Sequence, residues 1–363
     1  MFDSTATMNT KPAAARRIHG GTDAQGKPLF DFSTNSNALG PCAAAMRQIQ
    51  KADCAGYPDP EYQALRESLA VWHDVAPHRI LFAASASEFI YRMSIVFALR
   101  STQNYKKNDK QIRTKTVWIP PHSYGDYALA ARAAGLDLSD DISTAGLIWA
   151  CEPGSPLGQN QEGLAQILSA LPATSQLVLD CAYQPLRLSG QASANAEQLE
   201  RCWQMFTPNK ALGLTGIRGA YVIAPVHGEE WQLGLEQLAP SWVLGSHAVA
   251  MLASWNSVPV QEWLSNSLVI LREWKHRQIA ICQDLGWQVL PSHANFFCAM
   301  PSASIQENRR DFLHDLRSQG IKLRHAESFG LPACFRLGVL HPQAQDVLQR
   351  AVKEFSPRFF LSY

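Results

Sequence analysis

A single lysine in a turn of small and apolar residues is the clearest chemical feature of the sequence. Lys210 lies in the stretch FTPNKALGLTGIRGAY, residues 206–221, and no other charged residue lies within seven positions of it on either side. Apolar surroundings favour the uncharged form of a lysine, and an uncharged amine can condense with an aldehyde. The stretch therefore predicts Schiff-base chemistry at Lys210, and the alternative is an incidental lysine in a surface turn.

An acidic residue at the end of an apolar strand is the next chemical feature. Asp180 follows the apolar residues 177–179, and Tyr183 comes three positions after it. A buried carboxylate is costly unless a cation lies beside it. We therefore expect a cationic partner at Asp180.

Two other predicted strands end in residues that could bind a flat, anionic ligand. The small residues 84–87 separate a strand from a helix, and the free N–H groups at a helix start attract anions. A plain helix cap by Ser85 or Ser87 explains the same residues equally well. Tyr124 follows another strand, where its ring could stack on a ligand or belong to the core.

Glycines and asparagines near the N-terminus allow two interpretations. Gly20 and Gly21 follow His19, and paired glycines permit a close backbone approach that a Cβ atom would block, or form an ordinary turn. The side chains of Asn35 and Asn37 could cap local backbone or reach a ligand, and their spacing does not decide between these roles.

The elements that position these residues follow a repeated order of strand, loop and helix across residues 80–225. This order predicts an α/β fold with a mostly parallel sheet and ligand-binding residues at the carboxyl ends of its strands. From Trp287 onward the pattern becomes α+β. The predicted strands cover residues 80–83, 116–119, 146–150, 176–179, 321–324 and 334–340, with another ending at 293–297. The predicted helices cover residues 41–50, 61–73, 229–238, 247–256, 260–283, 304–319 and 343–355, and residues 101–116 are predicted as a solvated loop.

Composition indicates a cytosolic globular enzyme. Of the 363 residues, 17% are charged and 46% hydrophobic, and the net charge is +1, which argues against a nucleic-acid or membrane-surface partner. No apolar run approaches the ~18 residues of a membrane span, and no signal-peptide pattern is present. The eight cysteines form no CxxC pair, so we expect buried free thiols and no metal site.

The lysine stretch resembles the motif of fold-type I pyridoxal phosphate (PLP) enzymes, the class I and II aminotransferase superfamily. The order Asp180, Tyr183, Lys210 and Arg218 is similar to that of the superfamily, and the resemblance runs from about residue 18 to the end. It implies an α/β PLP-dependent transferase fold with a large domain, built on a mostly parallel sheet of the seven-stranded type, and a smaller α+β C-terminal domain. The implied organisation is a flexible lead (1–17), an N-terminal segment packing on the small domain (18–40), the large domain (41–258) and the small domain (259–363).

The resemblance also implies a role for each candidate residue. Lys210 would carry the cofactor pyridoxal 5′-phosphate, and Asp180 would keep its ring nitrogen protonated. Tyr183 and Ser155 would donate to its phenolic oxygen, and Tyr124 would stack on its ring. The implied phosphate ligands are Ser85, Ala86, Ser87, Thr207, Arg218 and, from the second subunit of a homodimer, Tyr57.

Within the superfamily, three segments look like the threonine-phosphate decarboxylases of cobalamin biosynthesis, with histidinol-phosphate aminotransferases as close relatives. These segments are the His19-Gly20-Gly21 run, DFSTNSNALG and YPDPEY. The similarity implies that a small amino acid substrate is held through its phosphate and carboxylate by His19, Asn37, Arg324 and Arg336.

The implied reaction is decarboxylation or transamination, and the Cα bond that is held perpendicular to the cofactor ring decides between them. A third interpretation is a non-catalytic PLP-fold binding module, against which the intact Lys210 and Asp180 argue. Two segments depart from the family pattern: Ser155 replaces the second Asn of the usual Asn-Asn-Pro-Thr-Gly loop, and residues 84–87 lack the usual glycine.

Overall fold

The computed structural model describes residues 19–107 and 115–355. The expected lead, residues 1–17, and residues 108–114 of the predicted loop lie outside the described residues. The strands are β1 (Phe30–Asp31), β2 (Ile80–Ala83), β3 (Thr116–Trp118), β4 (Asp137–Leu138), β5 (Leu147–Cys151), β6 (Gln176–Asp180), β7 (Trp203–Phe206), β8 (Ala220–Ile223), β9 (Gln288–Val289), β10 (Phe296–Met300), β11 (Ile321–Lys322), β12 (Arg324–His325) and β13 (Phe335–Gly338).

The helices are α1 (Ala43–Gln50), α2 (Gln63–His73), α3 (Ala86–Lys107), α4 (Gly125–Ala133), α5 (Leu164–Ala170), α6 (Ala196–Leu199), α7 (Glu229–Gln237), α8 (Ser246–Trp255), α9 (Val258–Asp284), α10 (Ala303–Glu307), α11 (Arg309–Ser318) and α12 (Pro342–Phe355). Short 3-10 turns cover Pro77–Arg79, Ile142–Thr144, Gln184–Leu186 and Glu327–Phe329.

In the described part of the chain, seven strands form the central sheet in the order β2-β8-β7-β6-β5-β3-β4. Strand β8 runs antiparallel to both of its neighbours, and the other pairs in this sheet are parallel. The expectation of a mostly parallel seven-stranded sheet is therefore confirmed. Because β2, β3, β5, β6 and β7 point the same way, the segments that follow them meet at one edge of the sheet. The start of β8 lies at the same edge.

Both faces of the central sheet are covered by helices, which explains why its strands are apolar at successive positions. In β2, Leu81 and Ala83 belong to a hydrophobic cluster shared with α3, α4 and α7. Ile80 and Phe82 belong to a second cluster shared with α1, α2 and α8. Strand β5 is buried at every position, as a strand between two helical layers must be.

The C-terminal part of the chain forms a second sheet, and the N-terminal segment pairs beside it in a separate two-stranded sheet. Strands β12, β13, β10 and β9 form an antiparallel sheet in that order. Strand β1 pairs in parallel with β11, with Phe30 opposite Ile321. The Gly338 N–H also donates to the Phe32 carbonyl at 2.7 Å. The division into a large domain of residues 41–258 and a small domain of residues 259–363 stays a prediction.

The predicted loop over residues 101–116 is wrong at its start, whereas the strand predicted to begin at residue 116 is confirmed. Helix α3 continues to Lys107, and β3 begins at Thr116. The hydroxyls of Ser101 and Thr102 donate to carbonyls four positions earlier, those of Phe97 and Ala98. Charged residues in this segment suggested a loop, but a solvated helix end accommodates charge equally well.

Three boundaries in the C-terminal part also differ from the sequence-based expectation. The strand expected to end at 293–297 begins there instead, as β10. The helix expected over 304–319 is divided into α10 and α11 at Asn308, whose side chain donates to the Ser304 carbonyl. The strand expected over 321–324 is divided between β11 and β12, which belong to different sheets.

The eight cysteines are all free, and every one except the exposed Cys54 is buried, which confirms the expectation of buried thiols apart from Cys54. None of the described helices has the length and apolar character needed to cross a membrane.

Candidate functional site

Lys210 lies on the connection between β7 and β8, at the edge of the sheet where the other candidate residues follow their strands. Its side chain is half-buried, and its Nζ lies 5.1 Å from the centroid of the Tyr183 ring. Gly213, with φ +68°, closes the turn, and a Cβ there would lie 2.6 Å from the Cα of Gly40. Only glycine therefore fits this contact between the Lys210 turn and the N-terminal segment.

Asp180, the last residue of β6, is a buried acid with two hydrogen-bond donors. It is 5% exposed, and it accepts from the Tyr127 hydroxyl at 2.7 Å and from the Ala182 N–H at 2.9 Å. Burial raises the pKa of Asp180, and the nearby positive charge of Lys210 opposes that rise. Within residues 19–107 and 115–355, no cation lies within ion-pair distance of Asp180. The described residues therefore do not supply the cationic partner that the sequence led us to expect.

Two residues beside Lys210 have polar atoms without protein partners. Thr207 is buried, and its hydroxyl has no hydrogen-bond partner among the residues that the structure describes. Asn35 donates from Nδ2 to the Tyr183 hydroxyl over 3.4 Å, but its buried Oδ1 has no partner. Buried polar groups of this kind are normally satisfied, so they mark places where a ligand can bind.

The start of α3 lies at the same edge of the sheet. The Ser85 hydroxyl accepts from the Glu88 N–H at 3.1 Å, which is a helix cap. Ser87 lies at the first turn of α3, where N–H groups have no helical acceptor, and its hydroxyl is 3.0 Å from the Tyr124 hydroxyl. The cap interpretation thus holds for the Ser85 side chain, while the backbone of Ala86 and Ser87 remains available to an anion.

A pair of buried arginines lies beside the loop after β5. Arg324 and Arg336 occupy facing positions on β12 and β13. Arg336 donates from Nη1 to the Ser155 hydroxyl at 3.0 Å and from Nη2 to the Ser33 carbonyl at 2.8 Å, and its buried Nε has no partner. Arg324 donates to the His325 carbonyl and to the Ser328 hydroxyl.

Burial affects both guanidiniums. It lowers the pKa of Arg336, and it lowers the pKa of Arg324 to about 10 with a further contribution from the positive charge of Arg336. No carboxylate in the described chain lies within ion-pair distance of Arg336. Two adjacent buried cations in this setting favour the binding of an anion.

The backbone of the glycines after His19 lies close to the backbone of Ser33, as the absence of Cβ atoms allows. A Cβ on Gly20 would lie 2.1 Å from the Ser33 carbonyl oxygen, the same oxygen that accepts from Arg336. The Gly21 N–H also donates to the Ser33 hydroxyl at 2.9 Å. His19 itself is exposed.

Other candidate residues are not brought into direct contact with these groups. Tyr57 is 80% exposed, and its ring stacks on Trp242 with centroids 4.4 Å apart. Arg218 is exposed. The Asn37 side chain donates to the Ala211 carbonyl and accepts from the Leu39 N–H, so its polar atoms serve the backbone. The bond with Leu39 is local, and the bond with Ala211 joins the N-terminal segment to the turn that carries Lys210.

Sequence reasoning missed the residue that holds Asp180. Tyr127 lies three positions after Tyr124 on α4, and its ring stacks on Trp149 at 4.9 Å. Burial raises the pKa of Tyr127 well above its usual value, so its hydroxyl keeps the proton that it donates. The available signal was the proximity in sequence of Tyr127, in the first turn of α4, to Tyr124, which immediately precedes that helix.

Comparison with known proteins gives a match over most of the chain. The family model for aminotransferase class I and II matches residues 27–354. The histidinol-phosphate aminotransferase of Jannaschia sp. (strain CCS1) is 25% identical over 334 residues, covering 86% of this chain and 87% of the relative. That of Erythrobacter litoralis (strain HTCC2594) is 26% identical over 355 residues, covering 92% of each.

Solved structures share the fold. The histidinol-phosphate aminotransferase from Sinorhizobium meliloti, in complex with pyridoxal-5′-phosphate, superposes with a TM-score of 0.75 at 20% identity, over 91% of this chain and 92% of that one. The L-threonine-O-3-phosphate decarboxylase from Porphyromonas gingivalis superposes with a TM-score of 0.73 at 18% identity, over 91% of this chain and 100% of that one.

Proposed function

The chain belongs to the class I and II aminotransferase family, and from this premise we propose that it decarboxylates a phosphorylated amino acid, L-threonine O-3-phosphate or a close analogue. It is an enzyme of that family that depends on pyridoxal 5′-phosphate. The observation that carries the substrate proposal is the pair of buried arginines, Arg324 and Arg336, at facing positions of adjacent strands.

The chemistry of the strand-end edge suits the cofactor. Lys210 has no carboxylate and Asp180 no cation within ion-pair distance among the described residues. Within the same described residues, the buried Thr207 hydroxyl has no hydrogen-bond partner. An aldehyde, a pyridine nitrogen and a phosphate are the three groups that these side chains would bind.

We therefore assign the cofactor aldehyde to Lys210, its ring nitrogen to Asp180 and its ring face to Tyr124. Tyr183 and Ser155 are assigned to its phenolic oxygen, since a hydroxyl that accepts from Arg336 can still donate. The residues assigned to its phosphate are Ser85, Ala86, Ser87, Thr207 and Arg218, with Tyr57 contributed by a second copy of the chain.

When bound, the cofactor supplies a protonated pyridine ring that accepts the electron pair of a bond broken at the substrate Cα. The Asp180 carboxylate holds the proton at the ring nitrogen, because an adjacent cation favours the ionised acid despite burial. Arg336 orients the substrate carboxylate, and this orientation selects the bond between Cα and the carboxyl carbon for cleavage. CO2 leaves, and Lys210 delivers a proton to Cα.

Two adjacent guanidiniums fit a compact substrate that carries two anionic groups. L-threonine O-3-phosphate has a carboxylate and a phosphate on neighbouring carbons, and we assign these to Arg336 and Arg324. His19 is assigned to the phosphate, because the Gly20 contact anchors its segment beside the carbonyl that Arg336 binds. We assign Asn37 to holding the Lys210 turn, since its N–H donates to the Lys210 carbonyl at 2.9 Å and its side chain is occupied.

Transamination of L-histidinol phosphate is the second candidate, and the names of the most similar relatives favour it. In that reaction Lys210 removes the proton from Cα instead of delivering one. L-Histidinol phosphate has no carboxylate, so Arg336 would serve only the dicarboxylate that accepts the amino group.

The test is to incubate the PLP-loaded protein with L-threonine O-3-phosphate and to follow CO2 and aminopropanol phosphate by mass spectrometry. A parallel reaction contains 2-oxoglutarate and L-histidinol phosphate. Release of CO2 that Lys210→Ala abolishes and Lys353→Ala, at an exposed lysine of α12, leaves intact would support decarboxylation. Formation of glutamate without release of CO2 would contradict decarboxylation and support transamination. If a protein with bound cofactor formed neither product, both proposed reactions would be contradicted, and the non-catalytic binding module would be favoured.

We also propose that the chain forms a homodimer. The exposed, stacked pair of Tyr57 and Trp242 supports this proposal, since aromatic residues are enriched at protein interfaces. Sedimentation equilibrium would measure the mass in solution. A monomer at catalytic concentrations would contradict the proposal and remove Tyr57 from the phosphate ligands.

A further inference from the structure

The two buried arginines share one aromatic ring. The guanidinium carbons of Arg324 and Arg336 lie over the ring of Phe329, 4.8 Å and 5.5 Å from its centroid. Phe329 is 9% exposed. An aromatic face attracts cations, and the attraction is stronger where water is excluded. The ring therefore offsets part of the repulsion between two neighbouring positive charges.

The backbone of the same phenylalanine is attached to a distant loop. Phe329 ends the 3-10 turn Glu327–Phe329, which Gly330 closes with φ +78°. The Phe329 carbonyl oxygen lies 2.7 Å from Nδ1 of His122. A carbonyl can only accept, so Nδ1 of His122 carries the hydrogen. A Cβ at position 330 would lie 3.3 Å from that nitrogen, so the glycine lets the His122 ring pack closely against the turn.

His122 belongs to the segment between β3 and α4, two positions before Tyr124. One hydrogen bond thus joins the loop assigned to the cofactor ring to the turn that lies beneath the anion-binding arginines. The two residues lie in connections of different sheets. The His122 segment follows β3 of the central sheet, and the turn with Phe329 lies between β12 and β13 of the C-terminal sheet.

We propose that Phe329 and His122 are positioning residues for substrate anions: the Phe329 ring holds both guanidiniums, and His122 fixes that ring relative to the Tyr124 loop. This proposal rests on the proposed function in one respect, namely that Arg324 and Arg336 bind the anionic groups of the substrate. The pair would set the distance between those anionic groups and the reacting Cα.

The first measurement is the dissociation constant of inorganic phosphate for the PLP-loaded protein, by isothermal titration calorimetry. Phe329→Leu keeps an apolar side chain but removes the aromatic face, and we expect phosphate to bind about tenfold more weakly. Phe329→Tyr keeps the face and should stay within about twofold of the unchanged protein. The absorbance spectrum of the bound cofactor should be the same in all three proteins, which separates positioning from a general loss of structure.

The second measurement tests the hydrogen bond without altering the core. His122→Ala should speed amide hydrogen exchange in residues 326–331 about fivefold or more, because the turn loses its external donor. In His122→Asn, an amide nitrogen can occupy the place of Nδ1 and restore the donor, so exchange should return toward the unchanged value. His122→Ala should also bind phosphate more weakly than the unchanged protein, and His122→Asn should bind it nearly normally.

Arg336→Gln distinguishes this proposal from the function on which it rests. Weaker phosphate binding by Arg336→Gln together with unchanged binding by Phe329→Leu and His122→Ala would overturn the positioning roles and leave the anion site intact. If Arg336→Gln and Arg324→Gln both bound phosphate as the unchanged protein does, the anion site itself would be refuted, and the positioning roles with it.

Discussion

The Tyr127 hydroxyl donates a 2.7 Å hydrogen bond to the buried carboxylate of Asp180. The tyrosine comes from α4 and the acid from the end of β6, and the Tyr127 ring is held between other rings, stacked on Trp149 and edge-on to Tyr124. The orientation of the acid is thus set by a rigid aromatic group. The acid assigned to the cofactor nitrogen depends on a residue that has no assigned contact with the cofactor.

Tyr127→Phe should lower kcat about tenfold while the protein stays folded. A hydrogen bond to a charged group contributes about 1.5–3 kcal/mol, and its loss raises the pKa of Asp180 further, which weakens the acid as an anion beside the ring nitrogen. Steady-state kinetics and a pH titration of the cofactor absorbance would measure both effects. Tyr62→Phe is the matched control, because its buried hydroxyl bonds only to the backbone of Leu244. Equal rates in Tyr127→Phe and the unchanged protein would count against the assignment of Asp180.

Thr207→Val should weaken cofactor binding about tenfold and leave the stability of the cofactor-free protein nearly unchanged. The Thr207 hydroxyl has no protein partner, so an apolar replacement of similar shape removes no hydrogen bond within the chain. Fluorescence titration with pyridoxal 5′-phosphate and thermal unfolding with and without cofactor would separate the two effects. Thr207→Ser should bind nearly normally. A fall in Tm of the cofactor-free Val variant would mean that the hydroxyl has a structural role.

Glu152→Ala should destabilise the protein by about 2 kcal/mol, because it leaves the partly buried guanidinium of Arg187 without its charged partner. Glu152 lies 3.1 Å from Arg187 and also accepts from the N–H groups of Ser193 and Gln161. These bonds fix the start of the loop that carries Ser155. Urea unfolding would give the free energy of unfolding for Glu152→Ala, Arg187→Ala and the double variant.

The variant in which both Glu152 and Arg187 are replaced by Ala tests whether the interaction between their charges causes the loss of stability. If the charges stabilise each other, the double variant should lose less than the sum of the single changes. Glu230→Ala supplies the control, because its ion pair with Arg100 is exposed and should change stability by no more than about 1 kcal/mol. Strict additivity at Glu152 and Arg187 would refute the coupling.

Stability should fall as the pH drops from 6.5 toward 4 because of His73. Its Nε2 lies 2.8 Å from the Tyr221 hydroxyl, and burial lowers the pKa of His73 from 6.5 to about 4. In this window the unfolded chain binds a proton that the folded chain does not, so acid favours unfolding. Between about pH 7.5 and pH 4.5 the effect should be about 2 kcal/mol.

The check is the free energy of unfolding at both pH values for His73→Gln. This variant should lose less stability on acidification than the unchanged protein does. His78→Gln, at an exposed histidine, should behave like the unchanged protein. An identical acid response in His73→Gln would assign the pH dependence to other groups.

Local patterns were enough to predict four strands of the central sheet, β2, β3, β5 and β6, but not β4, β7 or β8. Strand β2 has the predicted limits, and β6 was predicted to end at Asp180, because buried strands are short apolar runs closed by polar or small residues. The scarcity of charge around Lys210 is also a local feature, and the Schiff-base chemistry inferred from it stays a prediction. These features depend on neighbours in sequence.

Contacts between distant segments could not be predicted in the same way. Tyr127 and Asp180 are 53 positions apart, and Ser155 and Arg336 are 181 apart. Neither pair has a local pattern that specifies the contact. The prediction of a loop from residue 101 was wrong for a different reason. An exposed helix end and a loop can be equally rich in charged residues, so composition does not distinguish them.

The pairing of β1 with β11 places constraints on when the protein can finish folding. Phe30 is opposite Ile321, so this segment pairs with a strand that is synthesised much later. Closing so long a loop has a large entropic cost that no local contact offsets. The segment that contacts the Lys210 turn can therefore take its final place only after synthesis has passed residue 322.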